Sequence, residues 1–255
     1  MCAEKTQTLD RVIALLDCFS AEHPELGVRE VARLVNLSSS TAGRLLAAMK
    51  ENGILTQNPV TREYSMGPKV LTWASTYTST LDVRAKAQPA LRELYLKTLE
   101  TVSLYILDGN ERVCIERLES PRNVRTVVQV GGRLPLYAGS AGKVFLAFLS
   151  PQRRQEILSA TALTPLTRYT IVDTDSLEKE LKKIRKQGYA VSFGEWKLEA
   201  AGIGAPIFNI NGEVVAAVTI SGPSQRFTKA SITEHAPEVV RVAAQISREL
   251  GYCTI

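Results

Sequence analysis

The chain has 255 residues, 45% apolar and 22% charged, with 31 Lys and Arg against 26 Asp and Glu, for a formal net charge of +5. These are the proportions of a globular protein, and the length suits two cores better than one. No apolar run approaches the roughly 20 residues that span a bilayer, and the N-terminus lacks a charged-then-apolar leader pattern, so the reading is a cytoplasmic protein with no membrane partner. Cys2, Cys18, Cys114 and Cys253 are scattered without a CxxC pair, and His23 and His235 are the only histidines. No metal site, disulfide framework or cofactor is expected.

Three short amphipathic helices come first. Leu9, Val12, Ile13 and Leu16 stand at i, i+3, i+4, i+7; Val28, Val31, Ala32 and Val35 repeat that spacing, as do Ala42, Leu45, Leu46 and Met49. Three such stripes can close one small core. Only Asn36-Leu37-Ser38 separates the second helix from the third. Asn tolerates the left-handed conformation that ends a helix, and Ser38 can cap the next one. This is a helix-turn-helix, whose third helix is free to enter a DNA major groove.

Ser39, Ser40, Gly43, Arg44, Ala47 and Lys50 lie off the apolar stripe of that helix. With Ser38 and Thr41 at its start, they form the expected reading surface. Hydroxyls bond base edges or phosphate, Arg pairs with guanine, and helix N-terminal amides favour phosphate. Gly43, a poor helix residue, is expected to face the groove and allow close approach of the backbone to DNA. Residues 54–57 and 63–66 read as strands joined by the turn 58–62, which makes the motif winged and sets Arg62 near phosphate or a minor groove. Residues 1–80 hold eight Lys and Arg and eight Asp and Glu. Any DNA affinity therefore rests on local placement, at Arg29, Arg44, Lys50 and Arg62 among others, and not on bulk charge.

Gly67-Pro68 closes the wing, and Pro68 suits the first turn of a helix with Val70, Leu71 and Ala74 on its apolar side. The polar run 75–80 is poor in helix formers and is expected to fray into a hinge. A long helix is expected over 83–99. Strands follow at 101–107, 113–118 and 124–130, then a helix over 143–149 and another over 177–187 stopped by Gly188. A hairpin at 205–221 turns at Asn211-Gly212, and a last helix runs over 231–250. The order implies an α+β domain, a mixed sheet covered by helices. The domain limits are read as 1–66 for the winged helix, 67–80 for a linker helix and 81–255 for the remainder.

Three pieces of this second domain suggest a small-molecule pocket. Along 214–221, Val214, Ala216, Val218 and Ile220 make one fully apolar face, while Val215, Ala217, Thr219 and Ser221 make a small one ending in two hydroxyls. Gly139-Ser140-Ala141-Gly142 opens a helix whose amides favour a carboxylate; it lacks the spacing of a nucleotide P-loop. Phe193-Gly194-Glu195-Trp196 adds two aromatics and an acid in a loop. No nucleophile–base–acid set is visible, so no catalytic residues are assigned.

Five stretches together resemble the IclR family of bacterial transcription regulators over nearly the whole chain: LSSSTAGRLLAAMKENGIL (37–55), REYSMGPKVLTWA (62–74), GGRLPLYAGSAGKVFLA (131–147), KQGYAVSFGEW (186–196) and APIFNINGEVVAAVTISGP (205–223). The resemblance implies a winged helix, a linker helix and a GAF-like effector domain. It also implies dimers, often paired into tetramers, on operator DNA. By that resemblance Ser39 to Arg44 read DNA, and Leu134, Ser140, Ala141, Ser192, Gly202, Thr219 and Ser221 line the effector pocket, to which Tyr137, Glu195 and Trp196 are added. Departures from the family's habit at Ser192-Phe193-Gly194 and at Gly202 suggest a larger or more aromatic effector than a two- or three-carbon acid. Asn36 and Gly43 also depart, so operator preference does not transfer.

The resulting expectation is a sequence-specific transcription regulator, by family habit a repressor, with double-stranded operator DNA, a small organic effector and a second copy of itself as partners. Two rivals stand beside it: a DNA-binding protein whose C-terminal domain only oligomerises, and a small-molecule enzyme.

Overall fold

The computed structural model describes residues 7–20, 22–79, 82–123 and 128–252. The chain divides into two compact units, Met1–Thr80 and Leu81–Ile255.

In the first unit, helices α1 (Gln7–Leu16), α2 (Val28–Leu34) and α3 (Ser39–Glu51) precede a hairpin of β1 (Leu55–Gln57) and β2 (Tyr64–Met66), then α4 (Lys69–Ser79). Asn36 takes the expected left-handed conformation at φ 52°. Ser38 caps α3, its Oγ accepting from the Thr41 amide at 3.2 Å. Val31, Ala32, Ala42, Leu46 and Met49 bury their stripes with Leu15, Leu55 and Tyr64. Leu26 and Tyr64 exchange two backbone hydrogen bonds of 2.9 Å, tying the wing to the segment before α2.

Two expectations change here. The α1 stripe closes only in part: Val12 and Leu16 pack against the core beside the sealed Leu15, but Leu9 is 57% and Ile13 48% exposed. The run after Ala74 does not fray, since α4 is helical to Ser79. Thr76 gives its hydroxyl to the Thr72 carbonyl at 3.0 Å, so a side chain that competes with helix structure is satisfied inside it. Thr80 lies outside the described residues.

The second unit opens with α5 (Asp82–Thr98). Then come β3 (Thr101–Asp108), β4 (Glu111–Leu118), β5 (Arg133–Pro135), α6 (Ser140–Phe148), α7 (Pro151–Ala160) and α8 (Thr174–Gln187). It ends with β6 (Ala190–Phe193), β7 (Ala200–Phe208), β8 (Val214–Pro223) and α9 (Lys229–Glu249). The strands form one antiparallel sheet in the order β5-β4-β3-β8-β7-β6. One face packs on α5 and α9 through Leu91, Leu94, Val218, Ile220, Val239 and Val242. The other packs on α6, α7 and α8 through Val144, Phe145, Ile157, Leu181 and Ala217.

The alternation along β8 holds from Ala216 to Ser221. Val214 departs from it and joins the cluster under α6. Ile207 pairs with Ala216 and Phe208 with Val214, so Val215 is an extra residue that flips the face. Of the strand expected over 124–130, residues 124–127 lie outside the described ones and 128–130 are not strand. Strands β5 and β6 and helix α7 carry too few apolar residues in period to have been read from the sequence. No helix among the described residues is long and apolar enough to cross a membrane.

Candidate nucleic-acid interface and effector cavity

Helix α3 presents Ser39, Ser40, Arg44 and Lys50 to solvent, with Ser38 exposed at its cap. Four side chains able to bond bases or phosphates thus share one helix with a buried Ala42/Leu46/Met49 stripe. Thr41 is half-buried and bonded to the Ser38 hydroxyl at 2.9 Å. Lys50 reaches Gln57 Oε1 at 3.2 Å, bracing α3 on the wing. Gly43 is half-buried and borders α2 as well as the reading surface: a Cβ there would meet Val28 Cγ1 at 3.4 Å, an ordinary packing contact. The helical step of 100° places position 43 within about 40° of both Ser39 and Lys50, at the border of the reading surface that faces α2.

At the wing, Asn58 Oδ1 accepts from the amides of Val60 and Thr61 at 2.9 and 3.3 Å. This side-chain turn projects Val60, 87% exposed, and Arg62, whose φ is 64°. Arg29 is exposed on α2.

In the second unit, strand registers set Ser192 opposite Gly202 and Gly202 opposite Ser221, while Thr219 faces Gly204. The N-terminus of α6 lies over this row. Together they line a partly open cavity of about 60 Å³ whose wall includes Ser140, Ala141, Ser192, Gly202, Thr219 and Ser221, with Leu134 and Trp196. Eight of the ten expected effector residues therefore meet, drawn from four strands, a loop and a helix start. Ser140, Ser192 and Thr219 are each less than a tenth exposed, so a bound polar group there is well shielded from water.

Two expected residues lie elsewhere. Tyr137 sends its hydroxyl to Thr164, 3.1 Å from both the carbonyl and Oγ1. Glu195 is engaged in a buried ion pair: Oε1 accepts from Lys143 Nζ at 2.5 Å and Oε2 from the Gly139 amide at 2.9 Å. The carboxylate therefore holds the α6 N-terminus in place instead of facing the cavity. Phe193, 42% exposed, is also outside, on a groove with Lys143 and Tyr169. Gly202 does not enlarge the cavity either, since a Cβ would stand 2.9 Å from the Ile220 carbonyl oxygen and 3.3 Å from Ser140 Oγ. Its role is close approach of β7 to β8 and α6.

Five lining residues escaped the sequence reading: Tyr105, Arg112, Val128, Ala200 and Ala201. Arg112 and Tyr105 are almost sealed, at 4% and 6% exposure. Burial pulls the Arg112 guanidinium below the ordinary arginine value, opposed by nearby Tyr105 and Glu195. Burial likewise pushes the Tyr105 phenol up to about 12, with Cys114 adding to it. The available signal was alternation: Arg112 shares a strand face with Cys114, which is fully buried, but a strand begun at Val113 leaves Arg112 outside.

An exposed winged helix joined to a helix-covered sheet with a hydroxyl-lined cavity defines a ligand-responsive transcription regulator. Residues 8–59 match the IclR helix-turn-helix domain, and residues 75–248 match the bacterial transcriptional regulator IclR C-terminal domain. The chain belongs to the IclR family of bacterial transcriptional regulators. It is 34% identical over 245 residues to the HTH-type transcriptional repressor AllR of Escherichia coli K12, covering 96% of this chain and 90% of that one. Among solved structures it is similar to the Thermotoga maritima IclR, with a TM-score of 0.82, 33% identity and coverage of 96% and 99%. It is also similar to an IclR homologue from Microbacterium hydrocarbonoxydans complexed with 4-hydroxybenzoate, with a TM-score of 0.84, 28% identity and coverage of 96% and 99%.

Proposed function

We propose that this regulator is a cytoplasmic repressor whose operator is read by Ser39, Ser40 and Arg44. In this reading Ser38, Arg29, Lys50 and Arg62 hold the phosphates. Its effector is a small organic acid bound in the cavity between the α6 N-terminus and the Ser192/Gly202/Ser221 row, the relative with bound 4-hydroxybenzoate supporting an acid of this kind. No cofactor takes part. The effector acts by binding one arrangement of the protein more tightly than another, which changes the fit to paired half-sites.

The protein works as a homodimer or a pair of dimers. Leu9, Ile13, Leu71 and Trp73 are 48–74% exposed on α1 and α4, more apolar surface than one small domain leaves bare without a partner.

The observation that carries this reading is the register row, which sets two serines and a glycine side by side under a helix start. The test is anisotropy of operator fragments, selected from genomic DNA by the purified protein, with and without small acids. Release by an acid in the wild type, and not in Thr219→Val/Ser221→Val, is the expected result. Uniform, salt-sensitive recovery of all DNA would overturn the operator assignment.

A further inference from the structure

Among the described residues of the second unit, the buried cations Lys143 and Arg112 are treated differently. Lys143, 1% exposed, has Glu195 at 2.5 Å, Glu180 at 3.3 Å and the Val191 carbonyl at 2.8 Å. Arg112, 4% exposed, has only carbonyls: its Nη1 donates to those of Pro135 and Ala138, the latter at 2.6 Å. Its buried Nε has no hydrogen-bond partner, and among the described residues Glu195 is the carboxylate that acts on its charge, through space and without a direct ion pair, because its oxygens are held by Lys143 and the Gly139 amide. A guanidinium shut away from water is costly unless an anion faces it. Arg112 also lines the cavity.

We propose that Arg112 is the counter-ion of the effector, receiving a carboxylate that completes its pairing. This rests on the reading of the cavity as the effector site and names the group that selects the ligand. The α6 N-terminus is a second anchor: its Gly139 amide is taken by Glu195 at 2.9 Å, and the Ser140 and Ala141 amides would add neutral donors beside the Arg112 charge. Arg112 is held in place on one side by the two carbonyls, so its remaining donors are set in advance, and arginine grips a carboxylate with two parallel hydrogen bonds. Tyr105 lies beside it, 5.7 Å from guanidinium carbon to ring centroid, and Leu134, Val128 and Trp196 leave the rest of the ligand an apolar bed. The effector is therefore an acid with an apolar body, and its neutral amide is rejected.

The test is tryptophan-fluorescence titration of the full-length protein, since Trp196 stands in the wall. The probes are pyruvate, benzoate and 4-hydroxybenzoate, each against its primary amide. The wild type is expected to prefer at least one acid over its amide by tenfold or more. Arg112→Met is expected to abolish that preference by weakening the acid and sparing the amide, and Arg112→Lys to keep part of it. Equal binding of acid and amide by the wild type, or wild-type acid affinity in Arg112→Met, overturns the assignment and leaves the cavity reading standing. Failure of every acid to bind the wild type also overturns it. Binding insensitive to Thr219→Val/Ser221→Val shows instead that the cavity is not the site. The acid-against-amide comparison needs no variant, so it stands even if Arg112→Met does not fold.

Discussion

The two units use the same side-chain chemistry in opposite directions. On α3, Ser39, Ser40 and Arg44 face water, and the apolar stripe behind them is the only part that folding buries. In the second unit, Ser140, Ser192, Thr219 and Arg112 are each at least nine-tenths buried. An exposed hydroxyl or guanidinium is solvated until DNA arrives, so the unbound state costs little and affinity comes from phosphates and base edges. A buried one has lost its water before any ligand binds, so each polar atom must be satisfied inside or left waiting for the effector. Outward chemistry can therefore change without unfolding its domain, whereas inward chemistry is coupled to stability.

The strongest way to break that contrast is to cut the ion pair that seals the cavity's edge. Glu195→Ala leaves Lys143 buried without its nearest carboxylate and frees the Gly139 amide. The second unit is expected to lose about 3–5 kcal/mol, measured by urea denaturation, while the first keeps its own transition. A loss below about 1 kcal/mol would show that Glu180, already 3.3 Å from Lys143, takes over the charge.

A pH series comes next. Burial pushes the Cys114 thiol from 9.0 up to about 11, and Tyr105 from 10.0 up to about 12. Below pH 9 both groups keep their protons, folded or not. Between about 9 and 11 the unfolded thiol ionises and the folded one does not, so stability falls as pH rises, by about 2–3 kcal/mol in all. Tyr105 carries the decline toward 12. Denaturation midpoints of the wild type and Cys114→Ala between pH 8 and 10.5 check this; parallel curves would remove Cys114 as a cause.

What the sequence made legible follows the same division. The stripe of α3, the left-handed Asn36, the Ser38 cap and the wing all depend on residues within a turn or two of each other, and each stands where local rules put it. The cavity wall comes from segments up to 116 residues apart in number, Tyr105 to Ser221; local pattern pointed to Ser140, Ala141, Trp196, Thr219 and Ser221, whereas Leu134, Ser192 and Gly202 were named only through the family resemblance. Arg112 was missed because a charged residue on a strand reads as solvated, and only the fold buries it. Glu195 was misplaced for the converse reason: an acid beside a pocket reads as a ligand group until Lys143, 52 residues away, claims it. Leu9 and Ile13 show a third limit. Periodicity finds an apolar stripe but does not say whether the same chain covers it.

On the outward side, Arg44→Ala is expected to weaken operator binding by about 1–3 kcal/mol and lower the salt dependence or relax one base position. Its thermal unfolding should match the wild type, because Arg44 is exposed and the core lies on the other face. A matched loss of stability would mean that α3 does not separate reading from folding.

Ser38 is the residue where the two behaviours meet, and the smallest effect tests them most finely. Its hydroxyl accepts from the Thr41 amide at 3.2 Å and lies 2.9 Å from the Thr41 hydroxyl, yet it is exposed at the end of α3 that faces DNA in the proposed reading. Ser38→Ala removes the cap and should cost the first unit about 1 kcal/mol, whether or not DNA is present. Ser38→Asp restores a capping oxygen and adds a negative charge that the helix N-terminus favours, so stability should return to the wild-type level. The same charge beside a phosphate repels it, so operator affinity should fall further than in Ser38→Ala. Calorimetry and anisotropy on the pair separate the roles. If Ser38→Asp binds operator as well as the wild type, Ser38 serves the helix alone, and the reading surface begins at Ser39.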